Sequence, residues 1–346
     1  MVARTIFAAA AAFAGAAVAL PTDLEKRQNI DTTVLQFALT LEHLENAFYK
    51  QAIQKFSARD FKKAGYGADY YNNLHYIAYD EQSHVELLSG ALQAAGVTPN
   101  AACQYSFPYT DVRSFITLSS VLEGVGTSAY LGGAPLITSK AYLTVAGSIL
   151  ATEALHTSYQ RNAINEVPMA NPYETPLDPT SVYTLAAMFI TSCPASNAPL
   201  PFTPFPTLQA DGLMCTCEEP DCSTTVSKKD KRWGKHGSGW PKTSQKGENM
   251  CQPPKQGDSA TFTATNMTVP AGSYLTFVSG LNVVSEKGTT NGMNITAPIP
   301  SVAMGQTYVF VTKSDVEGTF DDSQVIAGPA VLEVTPPAPV LDFSEV

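Results

Sequence analysis

Four short stretches decide the fold of this chain: LEHLENAFY at 41–49, EQSH at 81–84, LEGVGTSAY at 122–130 and EALH at 153–156. In chain order they supply a Glu, a Glu-x-x-His, a second Glu and a second Glu-x-x-His. Residues three apart on an α-helix lie on one face, so the Glu and the His of each motif can reach the same ion. The four stretches therefore predict four helices whose polar side chains converge on one site.

A single Glu-x-x-His says little, because both residue types are common on solvated helix faces. Four helical segments in this alternation, however, match the ligand set of di-iron and di-manganese four-helix bundles. Carboxylate and imidazole ligands without a thiolate favour iron or manganese, with zinc as the alternative, and iron is preferred here. The predicted ligands of two such ions are Glu42, Glu81, His84, Glu123, Glu153 and His156.

The first helix offers two carboxylates for one ligand position, Glu42 and Glu45. Glu42 is favoured because Tyr49 follows it by the same interval that separates Tyr130 from Glu123. Each tyrosine is predicted to donate a hydrogen bond to a ligand carboxylate or to be oxidised itself, so Tyr49 and Tyr130 are the candidate catalytic residues. Glu45 is expected to support the ligands from behind.

Apolar spacing and capping residues predict the helices around these motifs. Asp31 is the expected N-cap of the first helix. The repeated Glu-to-Tyr interval, followed in each half by a Glu-x-x-His helix, indicates two similar helical hairpins. The predicted helices cover about 32–57, 68–95, 111–133, 140–165 and 180–192.

After the helices the sequence changes character. A Pro-rich linker follows, and from residue 257 short β-type runs alternate with Gly, Pro and Asn turns. These runs, at about 260–265, 274–278, 308–312 and 331–334, predict a small C-terminal β-sandwich. The fold class is thus mainly α: a four-helix bundle with a fifth helix, then a β-sandwich. The predicted domains are a bundle at 28–193, a linker with a basic Cys-containing insert at 194–256, and a β-domain at 257–346.

Composition narrows the classes of partner. The 346 residues are 44% hydrophobic and 15% charged, which excludes a disordered chain. A net charge of −10 disfavours nucleic acid and anionic lipid. The expected partners are metal ions with O₂ or H₂O₂, and neither nucleic acid nor membrane.

The N-terminus predicts secretion. Residues 1–19 combine Arg4, an apolar run and an Ala-Val-Ala cleavage pattern, as a signal peptide does. The dibasic pair Lys26-Arg27 then predicts a short propeptide at 20–27. Sequons at Asn266 and Asn294 predict glycosylation.

Six cysteines form an even count, so disulfides are expected in a secreted chain. They allow 15 pairings, among which the sequence does not choose. Residues 212–250 hold 7 of the 21 Lys and Arg residues of the chain, and their composition differs from that of both neighbouring segments. This segment is interpreted as a solvated loop or a translated intron, in preference to a zinc site at its cysteines.

Together these motifs resemble the ferritin-like superfamily, above all the secreted fungal ferritin-like proteins of stress response and late sexual development. The resemblance covers about 30–210 and 251–335. It implies a left-handed four-helix bundle in which the six predicted ligands hold two metal ions. It also implies oxidase, ferroxidase or peroxide-detoxifying chemistry, without one settled reaction. The alternative is a non-catalytic cell-wall or spore-associated protein that uses the bundle as a scaffold.

Overall fold

The computed structural model of this chain describes residues 22–210, 253–319 and 321–341, with side chains from residue 30 onward. The predicted signal peptide, the basic segment at 212–250 and the cysteines from Cys215 to Cys251 lie outside the described residues. No helix within the described ranges is both long and apolar enough to cross a bilayer.

The N-terminal part of the described chain is helical. Helices α1 and α3 pack as one hairpin, and α4 and α5 pack as the other, as the repeated motif predicts. The short helix α2 connects the members of the first hairpin, and α6 follows the second. The described helices are α1 (Thr22–Lys55), α2 (Ala58–Lys63), α3 (Ala68–Ala94), α4 (Val112–Gly133), α5 (Lys140–Ala163) and α6 (Pro179–Ala187).

The predicted cap of the first helix is wrong. Helix α1 begins at Thr22, so Asp31 lies inside it rather than before it. Its buried carboxylate instead accepts hydrogen bonds from the backbone N–H groups of Thr138 at 2.6 Å and Ser139 at 3.1 Å. Asp31 therefore fixes the loop before α5, a long-range role that local capping rules do not reveal.

The fifth predicted helix ends earlier than expected. Helix α6 stops at Ala187, and Ile190–Ser192 forms strand β2, antiparallel to β1 (Gln104–Tyr105) in the crossover between the hairpins. A disulfide joins Cys103 to Cys193 next to this pair. The crossover thus ties residues 190–193 into an extended conformation that helical periodicity cannot foresee.

Two four-stranded antiparallel sheets form the C-terminal part of the described chain, in the orders β10-β9-β5-β6 and β3-β4-β8-β7. The four predicted strands correspond to β4, β5, β9 and β10. Strands β6, β7 and β8 were not predicted, and β3 lies in the predicted linker. The strands are β3 (Leu208–Ala210), β4 (Ser259–Ala264), β5 (Tyr274–Ser279), β6 (Asn282–Lys287), β7 (Thr289–Asn291), β8 (Asn294–Pro298), β9 (Gly305–Thr312) and β10 (Val325–Val334).

Strands β9 and β10 brace the second helical hairpin. Tyr308 on β9 donates a hydrogen bond to the Gly124 carbonyl of α4 at 3.1 Å. Arg161 on α5 makes a bidentate ion pair with Glu333 on β10, at 2.7 and 2.8 Å. Bidentate Arg–carboxylate pairs fix orientation as well as adding energy. The sheet therefore holds in place the two helices that carry Glu123 and Glu153.

The end of α4 gives a test of this packing. A Cβ at Gly132 would lie 2.0 Å from the carbonyl oxygen of Leu177, whereas a Cβ at Gly133 meets nothing within 4 Å. Because backbone would have to move, we expect Gly132→Ala to lower the free energy of unfolding by about 1–3 kcal/mol. Chemical denaturation measures this, with Gly133→Ala as the matched control, which removes a helical glycine without a clash. Equal stabilities of the two variants would contradict the packing described here.

Candidate metal centre

The six predicted ligands meet in the middle of the bundle. They come from all four long helices: Glu42 from α1, Glu81 and His84 from α3, Glu123 from α4, and Glu153 and His156 from α5. Each side chain is buried, and the most exposed of them, His84, reaches 8%. The sequence motifs thus identify residues that the fold brings together.

These side chains form two overlapping groups whose potential ligand atoms all lie within 4.8 Å of one another. Glu42 and His84 belong to the first group alone, and Glu123 and His156 to the second alone. Glu81 and Glu153 belong to both. Two groups that share carboxylates are what a pair of neighbouring ions requires.

Both imidazoles present the same nitrogen to the carboxylates. The Nδ1 atom of His84 lies 3.2 Å from Glu42, 3.3 Å from Glu153 and 3.5 Å from Glu81. This places one imidazole nitrogen among three carboxylates of the first group.

The Nδ1 atom of His156 lies 3.0 Å from Glu81 and 3.3 Å from Glu123. Its other nitrogen, Nε2, lies 3.2 Å from the Asp80 carboxylate, which is partly exposed. A carboxylate behind a ligating histidine typically fixes the ring orientation and tautomer. Asp80 therefore lies where it could orient the His156 ring, a position that the sequence motifs did not single out.

The buried atoms of this site are not satisfied by protein donors. Both oxygens of Glu81, both of Glu153, Oε2 of Glu123 and Nδ1 of His156 make no hydrogen bond within the described part of the chain. Buried polar atoms without partners are costly, and buried carboxylates are normally paired or metal-bound. The donor set of carboxylate oxygen and imidazole nitrogen fits iron or manganese. On these grounds the residues present fit a pair of metal ions.

Two tyrosines each hold one carboxylate oxygen of the centre across the bundle. Tyr49 on α1 donates its hydroxyl hydrogen to Glu123 on α4, and Tyr130 on α4 donates to Glu42 on α1. Burial, followed by the charge of the bonded glutamate, raises the pKa of both phenols well above the usual value. Both tyrosines therefore remain protonated donors, and their role in catalysis stays a prediction.

Tyr49 is itself positioned by polar neighbours. Its hydroxyl lies 2.7 Å from Ser119 Oγ and accepts a hydrogen bond from Gln160 Nε2 at 3.2 Å. Gln160 in turn accepts a hydrogen bond from Tyr70 at 2.5 Å. Reasoning from sequence missed Ser119, Gln160 and Tyr70, because nothing local marks a residue whose partner is on another helix.

Glu45 is a fifth buried carboxylate beside the centre. A Cβ at Gly126 would lie 2.8 Å from Oε1 of Glu45 and 2.8 Å from Oε2 of Glu153. Gly126 thus leaves the space that both carboxylates occupy, while Glu45 lies outside the two candidate metal groups. Glu42 is therefore the first-helix carboxylate that lies within a candidate metal group, and its role as a ligand stays a prediction.

Without bound cations, several carboxyl and imidazole groups of the site keep their protons to a higher pH than usual. Burial raises the pKa of Glu81 to about 7, although the two imidazoles oppose the rise. Burial and neighbouring carboxylates also raise the pKa values of Glu45 and Glu153. Burial lowers the pKa values of His84 and His156, but the surrounding carboxylates outweigh it and raise both.

The part of the chain that contains this centre is similar to a known domain family. Residues 30–166 match the family model of the ferritin-like domain. Over 182 residues the chain is 30% identical to the protein named Protein rds1 from Schizosaccharomyces pombe (strain 972 / ATCC 24843). The match takes in 52% of this chain and 44% of that relative, so it spans less than half of the relative's length.

The protonation of the site predicts how the metal-free protein responds to pH. A carboxyl or imidazole whose folded pKa is raised contributes stability below its unfolded pKa, and this stability is lost as pH rises. The unfolded values are 4.5 for Glu81 and 6.5 for the histidines. We therefore expect chelator-treated protein to lose stability, on the order of 1–3 kcal/mol, between about pH 5 and about pH 8.

Chemical denaturation at both pH values measures this change. Glu81→Gln should show a weaker pH dependence, because its side chain cannot ionise. Metal-free wild-type protein that is equally stable or more stable at the higher pH would contradict the assigned protonation.

Proposed function

We propose, because residues 30–166 match the family model of the ferritin-like domain, that the protein binds two iron or manganese ions for oxidase or peroxide-reducing chemistry. The observation that carries this proposal is a pair of overlapping groups that share Glu81 and Glu153, whose buried carboxylate oxygens make no hydrogen bond among the described residues. Iron is the preferred metal. The identity of the metal is part of the proposal.

Charge balance supports two ions rather than one. The two groups contain four carboxylates and two imidazoles, all buried. Two divalent ions would neutralise four ionised carboxylates while the imidazoles stay uncharged, as ligating histidines must. A single divalent ion would leave net negative charge in a buried site, which is costly. Glu42 with His84 would hold one ion and Glu123 with His156 the other, and Glu81 and Glu153 would contribute to both.

Two such ions, when bound, supply a two-electron redox couple that can react with O₂ or H₂O₂. The chain contributes position and proton control around them. Tyr49 and Tyr130 fix the free oxygens of Glu123 and Glu42, and Asp80 orients His156. Glu45, whose pKa is raised, holds a proton beside Glu153. Tyr49 and Tyr130 are also the proposed redox-active side chains.

The proposal extends to location and to overall architecture. Secretion is supported by the N-terminal pattern, and by the Cys103–Cys193 disulfide, because disulfides persist in oxidising compartments. Glycosylation is supported by the sequons at Asn266 and Asn294, which are also compatible with cell-wall association. A role in fungal stress response or sexual development follows from the resemblance. We further propose a left-handed helix bundle and a β-sandwich. The sandwich is supported by one apolar core to which both sheets contribute, for example Phe262 and Phe277.

The rival function is a non-catalytic scaffold in a cell wall or spore coat. A scaffold would be as stable or more stable with apolar side chains at these positions, because buried ionic groups often stabilise less than well-packed hydrophobic ones. The concentration of carboxylates that lack hydrogen bonds therefore favours metal binding. The two functions differ in whether the protein turns over O₂ or H₂O₂.

Turnover by paired variants tests the proposal. Glu81→Gln keeps the shape of a side chain shared by both groups but removes its charge, and we expect at least a tenfold loss of metal-dependent O₂ or H₂O₂ consumption. Glu86→Gln is the matched control on the same helix, because Glu86 is exposed and hydrogen-bonded to Gln82 at 2.9 Å. Circular dichroism checks that both variants fold. Metal-loaded wild-type protein that consumes neither O₂ nor H₂O₂ would contradict the proposal and favour the scaffold.

A further inference from the structure

A cavity of about 480 Å³ lies between the four long helices, next to the metal centre. Its inner end is formed by His84 and Tyr130, which belong to the centre, and its rim includes the exposed Ala94. From His84 to Ala94 the cavity follows α3 over ten residue steps, which is about 15 Å of helix. Pockets for small molecules in proteins have about this volume, roughly 300–1,000 Å³.

Small side chains on every helix make this space. Each long helix presents an alanine to the cavity: Ala38 on α1, Ala91 on α3, Ala129 on α4 and Ala146 on α5. Bundle interiors are normally filled to high density by Leu, Ile and Val, and open space in a core costs stability. These four alanines therefore leave the cavity open, and larger apolar residues at the same positions would close it.

The walls select for an uncharged molecule. Apart from His84 and Tyr130 at the inner end, most of the side chains that line the cavity are aliphatic. No lysine or arginine of the described part of the chain lines it. The carboxylate of Asp31, at the outer end, is already bound to the backbone of Thr138 and Ser139. A peptide segment would bring N–H and C=O groups that these walls cannot satisfy. An elongated, apolar small molecule fits the chemistry better.

We propose that this cavity binds an uncharged, elongated, apolar small molecule, with its inner end beside His84 and Tyr130. Binding depends only on the shape and polarity of the cavity. That the bound molecule is a substrate of the centre rests on the proposed function. In that case the cavity restricts the substrate to molecules with an apolar chain that can reach the two ions.

Binding of 1-decanol to the full chain tests the proposal. Equilibrium dialysis with radiolabelled 1-decanol should show saturable binding to wild-type protein. Ala146→Leu should weaken this binding at least tenfold, because its side chain enters the cavity. Ala151→Leu is the matched control, since Ala151 is exposed on the same helix and does not line the cavity. Ala38→Leu, on the opposite hairpin, provides a second cavity-filling variant if Ala146→Leu does not fold.

Absence of saturable binding to wild-type protein would overturn the proposal, as would equal affinity of wild-type protein and both cavity-filling variants. A second measurement distinguishes the cavity proposal from the proposal that the protein binds metal ions. With Co²⁺ as the probe metal, 1-decanol should shift the visible absorption of the wild-type protein and of Ala151→Leu, but not of Ala146→Leu.

The results for 1-decanol binding and Co²⁺ uptake, taken together, show which of the two proposals fails. Binding of 1-decanol by a protein that takes up no Co²⁺ would support the cavity and contradict the proposed function. Uptake of Co²⁺ without binding of 1-decanol would contradict the cavity alone. Binding without any shift of the Co²⁺ spectrum would overturn the placement of the ligand beside His84.

Discussion

Buried negative charge is the constraint on which this structure depends. Glu42, Glu45, Glu81, Glu123 and Glu153 all lie within one bundle interior, and among the described residues two buried imidazoles, His84 and His156, accompany them. Ionised carboxylates removed from water are costly unless cations or protons compensate them. Protons can compensate this charge, because the pKa values of Glu45, Glu81 and Glu153 are raised. Metal ions can compensate it instead, because the carboxylates and imidazoles form two overlapping groups that could hold ions. Protons and metal ions therefore compete for one site, and metal binding is expected to release protons.

The surrounding structure holds these carboxylates in place. The reciprocal hydrogen bonds of Tyr49 and Tyr130 link α1 to α4, so the two hairpins cannot separate without breaking them. Strands β9 and β10 then fix the second hairpin through Tyr308 and through the Arg161–Glu333 pair. Beside His84 and Tyr130, alanines from all four long helices line the apolar cavity. Hydrogen bonds thus hold two carboxylates of the centre, while open apolar space reaches its edge.

The sequence predicts the parts of this account that depend on local spacing. Glu81 and His84 share a helix face because they are three residues apart, and the same holds for Glu153 and His156. Contacts between distant residues are not predictable in this way. Asp31 lies inside the first helix rather than at its N-cap, and its partners, Thr138 and Ser139, are more than 100 residues away in the sequence. Strands β6 to β8 are short and rich in polar residues, so only their cross-strand partners identify them. The cavity depends on alanines from four helices, which no local pattern connects.

The most direct test of the central claim is elemental analysis of protein purified from its native host and never exposed to chelator. The proposed function predicts about two iron or manganese ions per folded chain, since two candidate metal groups share Glu81 and Glu153. Glu81→Gln prepared in the same way should retain fewer ions. Folded wild-type protein without metal would contradict the account, because its buried carboxylates would then have protons as their only compensation.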